Sequence, residues 1–294
     1  MRTHREVARL VATHLPAYRI DSVALLGAGE DNTAYEVNGE LILRFAEEPD
    51  AQVRAEKVNR EARLLAAVAD ISPLPVPEPV FTAAEQGCLA YFKLPGLPLI
   101  DLSPPQRSAH ALSVAAALGE LLTTLHGVPL DRVTELVETD DQPKKQWLRE
   151  AAESYAAVAP RMPETHRPAV EAFLASPPPA DGHTLVFSHN DLGIEHVLVA
   201  PDTCTVTGVI DWSDAAIIDP AYDFGLLHRD LGPEAVHAAL NTYPAPREEI
   251  STRAAFYARC ALLEDMAYGL EPGHHTYLTK SLTALPWLFP PQRQ

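Results

Sequence analysis

The first part of the chain alternates apolar and polar residues as the strands of a half-buried sheet do. Between residues 22 and 46, β-favouring residues lie around the Gly27-Ala28-Gly29 stretch and around Asn38-Gly39. Asn-Gly between two alternating runs is a strong signal for a tight hairpin. Residues 52–69 then carry apolar side chains at helical spacing among Ala, Glu and Arg, which predicts a helix.

A proline-rich segment and a Pro-Gly pair end this pattern. Between Pro73 and Pro79 each proline removes a backbone donor and restricts the residue before it, so we expect an extended segment. Strand-like residues follow over 80–94 and stop at Pro95-Gly96. The break predicts a small α+β lobe over residues 1–96, followed by a linker.

Beyond residue 96 the pattern is mainly helical. Apolar residues recur at helical spacing over 111–126 and again over 263–270. A β-rich island over residues 184–210 interrupts them with apolar runs on either side of a Pro-Asp turn, which predicts a β-hairpin. The expected fold class is α+β, with a small β-rich N-terminal lobe and a larger, mainly helical C-terminal lobe over residues 97–294.

Composition and charge narrow the classes of function. Of the 294 residues, 47% are hydrophobic, which is enough for a packed core. Asp and Glu total 40 against 23 Lys and Arg, and the formal net charge is −17. Such a field repels nucleic acid and attracts cations, so we expect no nucleic-acid partner and a small-molecule partner that is favoured when cationic. Acidity that only keeps a protein soluble would look the same.

The cysteines and the apolar runs indicate the compartment. Cys88, Cys204 and Cys260 are odd in number and far apart, which fits neither a disulfide framework nor a zinc knuckle, so we expect reduced, buried thiols. The first residues have no apolar core typical of a signal peptide, and no later apolar run approaches the roughly 18 residues of a membrane span. We expect a soluble cytoplasmic protein without a membrane partner, as a monomer or homodimer.

Two aspartates at the ends of apolar strands suggest the chemistry. Asp191 follows the run Thr184–Phe187 and the residues Ser-His-Asn, and Asp211 follows Val206–Ile210 after the hairpin turn. Phosphoryl transfer needs a carboxylate that orients the attacking hydroxyl and separate oxygen ligands that hold Mg²⁺ against nucleotide phosphates. An isolated Asp after a strand commonly caps a turn, so the prediction rests on the pair and on its order along the chain.

Other residues of the first lobe fit the same chemistry. Gly27 and Gly29 lie between two predicted strands, where backbone amides can approach phosphate oxygens, although a glycine pair at a hairpin is usually only a turn. Arg44 is flanked by apolar residues, so its charge needs a partner, and Glu61 in the following helix is the candidate. A buried structural salt bridge would give the same pattern.

The order of these features resembles the protein-kinase-like fold of the aminoglycoside and macrolide phosphotransferase family over nearly the whole chain. The likeness is most specific in SHNDLGIEHVLV and VTGVIDWSDAAIIDPAYDFG. Family members typically show HGDLxxxN or, in macrolide phosphotransferases, HGDLxxGH, followed by IDW and DPxxD. The resemblance implies a phosphotransferase that uses ATP or GTP as co-substrate and Mg²⁺ as cofactor.

The resemblance also implies a role for each matching residue. Asp191 is then the catalytic carboxylate, and His196 and Asp211 belong to the metal site. Asp219 and Asp223 brace the loop. The implied nucleotide-binding residues are Gly27, Gly29, Asn32, Arg44, Glu61, Phe92 and Leu94.

Three positions depart from the commonest kinase pattern. Asn32 stands where a third glycine is common, and Arg44 replaces a lysine, which keeps the charge but is bulkier. His196 replaces the asparagine that usually supplies an oxygen, although Mg²⁺ prefers hard oxygen ligands. His196 would bind the metal directly, hold a metal-bound water, or have no catalytic role. A histidine here is what macrolide phosphotransferases share, which favours a macrolide-type enzyme.

The acceptor is the least determined part of the prediction. By the family likeness, helices after the metal loop line its pocket, and the candidate substrate residues are Asp214, Glu264 and Asp265. We expect a small-molecule O-phosphotransferase that modifies a hydroxyl of an antibiotic or related natural product. The alternatives are a kinase of a primary metabolite, such as homoserine or a sugar amine, and a catalytically silent kinase-like protein that binds ligand.

Overall fold

A computed structural model describes residues 2–29 and 32–291, and the chain divides into two compact units. The first unit comprises Met1–Pro95 and Gly208–Ser213, and the second comprises Gly96–Thr207 and Asp214–Gln294. The lobes predicted from the sequence are 1–96 and 97–294, and the structure differs in assigning 208–213 to the first unit. One reason is a hydrogen bond within that unit, in which the Val209 amide donates to the Pro75 carbonyl oxygen at 3.0 Å. Such a contact between distant segments has no signature in the sequence.

The first unit is built on a five-stranded antiparallel sheet in the order β1-β2-β3-β5-β4. Its strands are β1 (Val23–Ala28), β2 (Asn32–Val37), β3 (Leu41–Ala46), β4 (Pro79–Ala83) and β5 (Cys88–Phe92). Every second residue of β2 is buried, as the alternating pattern predicts. The Asn38-Gly39 pair joins β2 to β3 with both residues at positive φ, which is the geometry this dipeptide favours.

Two helices complete the first unit, α1 (His4–His14) and α2 (Ala51–Ala69). Helix α2 is the helix predicted over 52–69, and it begins where the Asp50 side chain accepts hydrogen bonds from two backbone amides of the first turn. Its Leu64, Leu65 and Val68 are buried. Burial of these apolar faces supplies the main stabilisation of the unit.

The second unit is mainly helical. Its helices are α3 (Pro104–His126), α4 (Lys144–Val158), α5 (Arg167–Ala175), α6 (Ala221–Leu231), α7 (Pro233–Ala239), α8 (Arg247–Tyr268) and α9 (His275–Leu288). Helix α3 begins earlier than the predicted residue 111, because prolines are accepted in a first helical turn and Ser103 forms a capping box with Gln106.

Short strands hold the loops of the second unit. They are β6 (Leu97–Pro98), β7 (Glu138–Thr139), β8 (Val186–Ser188), β9 (Val197–Val199), β10 (Val206–Val209) and β11 (Ala216–Ile218). They form two three-stranded sheets, β10-β9-β6 and β7-β11-β8. Strand β10 leads the chain into the segment that groups with the first unit. In the second sheet Ser188 pairs with Ala216, so the loop that carries Asp191 begins at a fixed strand end.

Among the described helices, α3 alone is long and apolar enough to pass a test for a membrane span by length and composition. Eight of its residues are buried within the protein, including Leu118, Leu121, Leu122 and Leu125. Its Gly119 lies directly against Ala239, since a Cβ at that glycine would lie 2.2 Å from the Ala239 carbonyl oxygen. These contacts are those of a core helix.

Candidate active site

The loop between β8 and β9 in the second unit carries Asp191, and a buried carboxylate fixes its backbone. Asp223 of α6 accepts hydrogen bonds from the Asn190 amide at 2.9 Å, the Leu192 amide at 3.1 Å and the Ser188 hydroxyl at 2.5 Å. Asn190 has a φ of 64°, in the left-handed region that asparagine tolerates better than most residues. The loop is therefore held on both sides of Asp191, as the DPxxD resemblance implies for Asp223.

The Asp191 carboxylate lies beside His196. His196 Nδ1 is 3.2 Å from Asp191 Oδ2 and 2.9 Å from the Asp191 carbonyl oxygen. A carbonyl oxygen only accepts, so Nδ1 carries the proton, and in the neutral imidazole Nε2 carries the lone pair. The Asp191 side chain is 37% exposed. Burial of the remainder raises the pKa of Asp191 to about 7, and the nearby His196 opposes that rise.

A histidine outside the predicted site residues, His126, supports the strand that leads into this loop. His126, the last residue of α3, contacts the Ser188 hydroxyl through Nε2 at 2.9 Å and the Tyr243 hydroxyl through Nδ1 at 2.7 Å. Because the Ser188 proton goes to Asp223, Nε2 is the donor and Nδ1 accepts from Tyr243. Burial lowers the pKa of His126 to about 4, so the imidazole is neutral.

In the first unit, Arg44 joins two acidic side chains. Its guanidinium is 2.9 Å from Glu61 and 3.3 Å from Asp211, and its side chain is 13% exposed. Burial alone would lower the pKa of Arg44, but the charges of Glu61 and Asp211 raise it. The structure therefore brings together Arg44, Glu61 and the aspartate that the sequence placed 150 residues later.

Asp211 is held by its neighbours in a defined conformation. Its φ of 62° turns the chain sharply after β10, and the Ser213 hydroxyl donates to its Oδ1 at 3.0 Å. Trp212 is buried and its indole N–H donates to the Val209 carbonyl at 3.0 Å. The indole thus anchors the turn that presents the carboxylate.

Among residues 2–29 and 32–291, no three His, Cys, Asp or Glu side chains form a group that would hold an ion. Mg²⁺ in phosphotransferases is bound by one or two protein ligands together with water and substrate phosphates, not by an all-protein cage. The Asp211 carboxylate is a suitable hard ligand, and the His196 Nε2 suits a metal-bound water or a softer ion.

The glycines and Asn32 predicted to approach phosphates lie at the β1–β2 hairpin. Gly27 follows an irregularity in the register of β1, and a Cβ at this glycine would meet no atom within 4 Å. The Gly29 amide donates to the Asn32 carbonyl at 2.9 Å. Glu30 and Asp31, between them, lie outside the described residues. Among the described residues, open space therefore lies beside Gly27, as the close approach of a phosphate chain requires.

The residues predicted to form the adenine- or guanine-binding segment lie at the end of β5. Phe92 is 46% exposed, and Leu41 is its partner across the sheet. The Lys93 amide donates to the Glu40 carbonyl at 2.7 Å, so this amide is already used within the sheet. Leu94 is partly buried. A base would therefore have to use the backbone groups of Phe92 and Leu94.

The three candidate substrate residues differ in their surroundings. The Asp214 carbonyl accepts a hydrogen bond from the Asn190 side chain at 2.9 Å, which places it at the Asp191 loop. Glu264 lies on α8, and burial of its carboxylate raises its pKa. Asp265 instead lies 3.0 Å from Arg229 and 2.9 Å from Lys280 within a buried charge cluster.

A cavity of about 210 Å³ in the second unit lies elsewhere. Trp147, Tyr257, His183 and Asp219 are among its lining residues, and the lining includes none of the predicted site residues. Asp219, to which the resemblance gave a role in bracing the loop, has several ionic and hydrogen-bond partners beside this cavity. Its partners are Lys144, His183, Arg253, Tyr257 and the Ala221 amide.

Comparisons of this chain with protein families, curated proteins and solved structures all identify phosphotransferases. The phosphotransferase enzyme family matches residues 22–257. Viomycin phosphotransferase of Streptomyces vinaceus is 27% identical over 249 residues, which are 81% of this chain and 82% of that protein. The fold also matches the structure of the GDP and kanamycin complex of APH(2")-IIia. The TM-score is 0.70 at 23% identity, and the match covers 95% of this chain and 97% of the other.

A macrolide enzyme matches in the same way. The macrolide 2'-phosphotransferase MphH from Brachybacterium faecium has a TM-score of 0.64 at 24% identity, over 98% of this chain and 99% of the other. These likenesses confirm the α+β kinase-like fold. With the family match extending over most of the chain, the conclusion is direct: this chain belongs to the phosphotransferase enzyme family.

Proposed function

We propose that this protein transfers the γ-phosphoryl group of ATP or GTP to a hydroxyl of an antibiotic or related natural product. The observation that carries the proposal is the geometry at Asp191: a partly exposed carboxylate, 3.2 Å from His196, on a loop whose backbone amides on both sides are held by Asp223. A carboxylate held in this way is well suited to orient an acceptor hydroxyl and take its proton. The family membership supports the same class of reaction.

In this mechanism Asp191 accepts a hydrogen bond from the acceptor hydroxyl and orients its oxygen toward the γ-phosphorus. As the new O–P bond forms, the bond to the leaving β-phosphate oxygen breaks and Asp191 takes the hydroxyl proton. The products are a phosphate monoester and a nucleoside diphosphate. Most of the rate comes from positioning and charge stabilisation, since the transition state needs little covalent help from the protein.

The residues of the first unit bind the nucleotide. Arg44, held by Glu61 at 2.9 Å, supplies a fixed positive charge to the phosphates. Gly27, Gly29 and Asn32 leave room for the phosphate chain, and the segment from Phe92 to Leu94 receives the base. Mg²⁺, when bound with the nucleotide, neutralises the charge that develops on the phosphate oxygens. Asp211 would supply a carboxylate oxygen to such an ion, and His196 would supply a nitrogen or hold a metal-bound water.

The acceptor is proposed from the relatives and from charge. One relative is named for viomycin, and one similar structure contains bound kanamycin; both compounds are antibiotics. The net charge of −17 favours acceptors that carry amines. Asp214 and Glu264 are the side chains that we assign to acceptor binding. We place the enzyme in the cytoplasm, where the nucleotide is available, as a monomer or homodimer.

A panel of acceptors with γ-labelled ATP or GTP tests the proposal. The panel contains a tuberactinomycin, an aminoglycoside, a macrolide, homoserine and an amino sugar, each with Mg²⁺. Label transfer to an antibiotic is the expected result. Transfer only to homoserine or the amino sugar would identify a metabolic kinase instead. Tight binding of an antibiotic with no transfer in Mg²⁺ or Mn²⁺ would identify a catalytically silent ligand-binding protein.

A further inference from the structure

A cluster of five charged side chains is buried behind the Asp191 loop, and no step proposed above uses it. Its members, all in the second unit, are Glu195, Arg229, Asp230, Asp265 and Lys280. The side chains of Arg229, Asp230 and Lys280 are 5%, 1% and 3% exposed. Charges so completely removed from water are retained only where they are paired, and such networks are often kept for specificity of arrangement rather than for stability.

Lys280 is the member that comes from the last helix, α9. Its ammonium lies 3.0 Å from both carboxylate oxygens of Glu195 and 2.9 Å from Asp265. The ring of Tyr277, one turn earlier, packs against the ammonium at 4.9 Å. Burial would lower the pKa of Lys280, but the surrounding carboxylates raise it, so it stays charged. Lys280 therefore ties α9 to a residue 85 positions earlier in the chain.

Two acidic members of the cluster, Asp230 and Glu195, hold the segment between Asp191 and His196. Asp230 accepts a hydrogen bond from the Ile194 amide at 3.2 Å, while its carboxylate pairs with Arg229 at 2.8 Å. Burial would raise the pKa of Asp230, but Arg229 and Lys280 lower it to about 2. Asp230 therefore remains an acceptor at any physiological pH.

Glu195 folds back over the same segment. A Cβ at Gly193 would lie 2.7 Å from the Glu195 carboxylate, so the carboxylate occupies the space above that glycine. Glu195 directly precedes His196, whose amide donates to the Gly193 carbonyl at 3.0 Å. A shift of the Glu195 side chain would thus be passed to the His196 backbone and to the contact between His196 Nδ1 and Asp191.

We propose that Lys280 and Glu195 form a positioning pair that fixes the Leu192–His196 segment and, through it, the alignment of His196 with Asp191. This inference rests on the proposed function, because it concerns the metal and proton-accepting residues of that reaction. Neither member of the pair touches substrate. Residues that orient metal ligands without binding the metal themselves typically contribute about 10- to 100-fold to metal affinity or activity.

Lys280→Met removes the ammonium and keeps an unbranched apolar stem, and Glu195→Gln removes the negative charge at constant shape. For both variants we expect kcat to fall about 10- to 100-fold and the half-saturating Mg²⁺ concentration to rise. The acceptor KM should stay near the wild-type value. The double variant Glu195→Gln/Lys280→Met removes both charges together, so its melting temperature should recover toward wild type while kcat stays low.

Lys144→Met is the matched control. Lys144 is also a buried lysine of the second unit, 1% exposed, and it pairs with Asp181 and Asp219 at 3.3 Å. Its loss should lower the melting temperature without changing the half-saturating Mg²⁺ concentration. A readout independent of turnover is the long-range ¹H–¹⁵N NMR spectrum of the imidazoles without metal or nucleotide. The His196 Nδ1–H signal should move in Lys280→Met and stay in place in Lys144→Met.

Two results would overturn the positioning role. One is a double variant with wild-type kcat, which would show that the charges are dispensable. Another is a loss of kcat in both single variants that matches only a smaller active fraction, with unchanged Mg²⁺ dependence and an unmoved His196 signal. If Lys280→Met does not fold, Glu195→Gln gives the same decision. A wild-type protein that neither binds Mg–nucleotide nor phosphorylates any acceptor would instead refute the proposed function itself.

Discussion

At the scale of single residues, the two aspartates have different surroundings, which support different proposed roles. Asp191 lies beside His196 on a loop that Asp223 clamps, whereas Asp211 contacts Arg44 in the first unit. A proton-accepting role depends on the carboxylate charge of Asp191 at the moment of transfer. A metal-binding role of Asp211 depends on its oxygen charge in the nucleotide-bound state. Substitutions of the two should therefore have different kinetic signatures.

Asp191→Asn should lower kcat about 10²- to 10⁴-fold, the usual contribution of a positioned general base. The amide keeps the shape of the side chain, so nucleotide affinity and melting temperature should stay near wild type. Steady-state kinetics and calorimetric nucleotide binding check both parts. Asp202→Asn, at an exposed turn of the same unit, is the control and should be silent. Full activity in Asp191→Asn would rule out Asp191 as the base.

Asp211→Asn should weaken nucleotide binding in Mg²⁺ by more than about tenfold, or about 1.4 kcal/mol. The loss follows from replacing a charged oxygen ligand with a neutral one, and without Mg²⁺ the two proteins should bind nucleotide similarly. Titration of nucleotide with and without metal measures the difference. An equal loss in both conditions would show that Asp211 acts by holding Arg44 rather than by binding the metal.

At the scale of elements, α3 supports the Asp191 loop through its last residue. His126 connects the helix end to Ser188 of β8 and to Tyr243 in the chain after α7. The imidazole is neutral in the folded protein, and burial holds its pKa at about 4. The unfolded chain would protonate the same residue near pH 6.5. This difference couples the stability of the fold to pH.

The contribution of His126 to the free energy of unfolding should be constant above about pH 6.5 and should fall as the pH decreases toward about 4. The sign follows because this histidine binds a proton in the unfolded state but not in the folded state in that window, so its contribution rises with pH. His126→Gln removes this proton uptake and should reduce the slope, although other buried histidines retain a part. Urea titrations between these pH values measure it. His110→Gln, on the same helix, is the control, and an unchanged slope in His126→Gln would contradict the prediction.

The contact between α3 and α7 depends on the absence of a side chain at Gly119. Because a Cβ there would lie 2.2 Å from the Ala239 carbonyl, Gly119→Ala must separate the helices. We expect a loss of about 1–3 kcal/mol in the free energy of unfolding, as for other overpacked cores. Ser108→Ala adds no bulk on an exposed part of the same helix and should change stability little. Denaturant unfolding of both variants makes the comparison.

At the scale of the whole molecule, the net charge of −17 acts on diffusing substrates. For a polycationic acceptor such as kanamycin, kcat/KM should fall as ionic strength rises from about 0.01 M to about 1 M, because the screening length shrinks from about 30 Å to about 3 Å. For an acceptor with one amine the fall should be much smaller. Equal salt dependence for both would show that the acidity serves solubility alone.

Local patterns were sufficient to predict most elements of this fold. The alternation in β2, the Asn38-Gly39 turn and the helical spacing over 52–69 depend on neighbours in sequence, so they could be predicted without coordinates. Helix α3 begins at Pro104, seven residues before the predicted residue 111, because prolines are accepted in a first helical turn. The thiols of Cys88, Cys204 and Cys260 are buried as expected.

The candidate site also has a part that the sequence identifies and a part that only the fold shows. Asp191 and Asp211 follow from strand ends and motif order, and the pairing of Arg44 with Glu61 follows from one buried charge that needs a partner. No sequence pattern indicated that Asp211 completes that pair or that Lys280 reaches Glu195. The family likeness suggested Asp265 as a substrate residue, although the fold encloses it in the charge cluster. Local spacing determined which elements and motifs exist in this chain. Only the tertiary structure decided which distant charges meet, because burial forces each charge to find its partner in space rather than along the sequence.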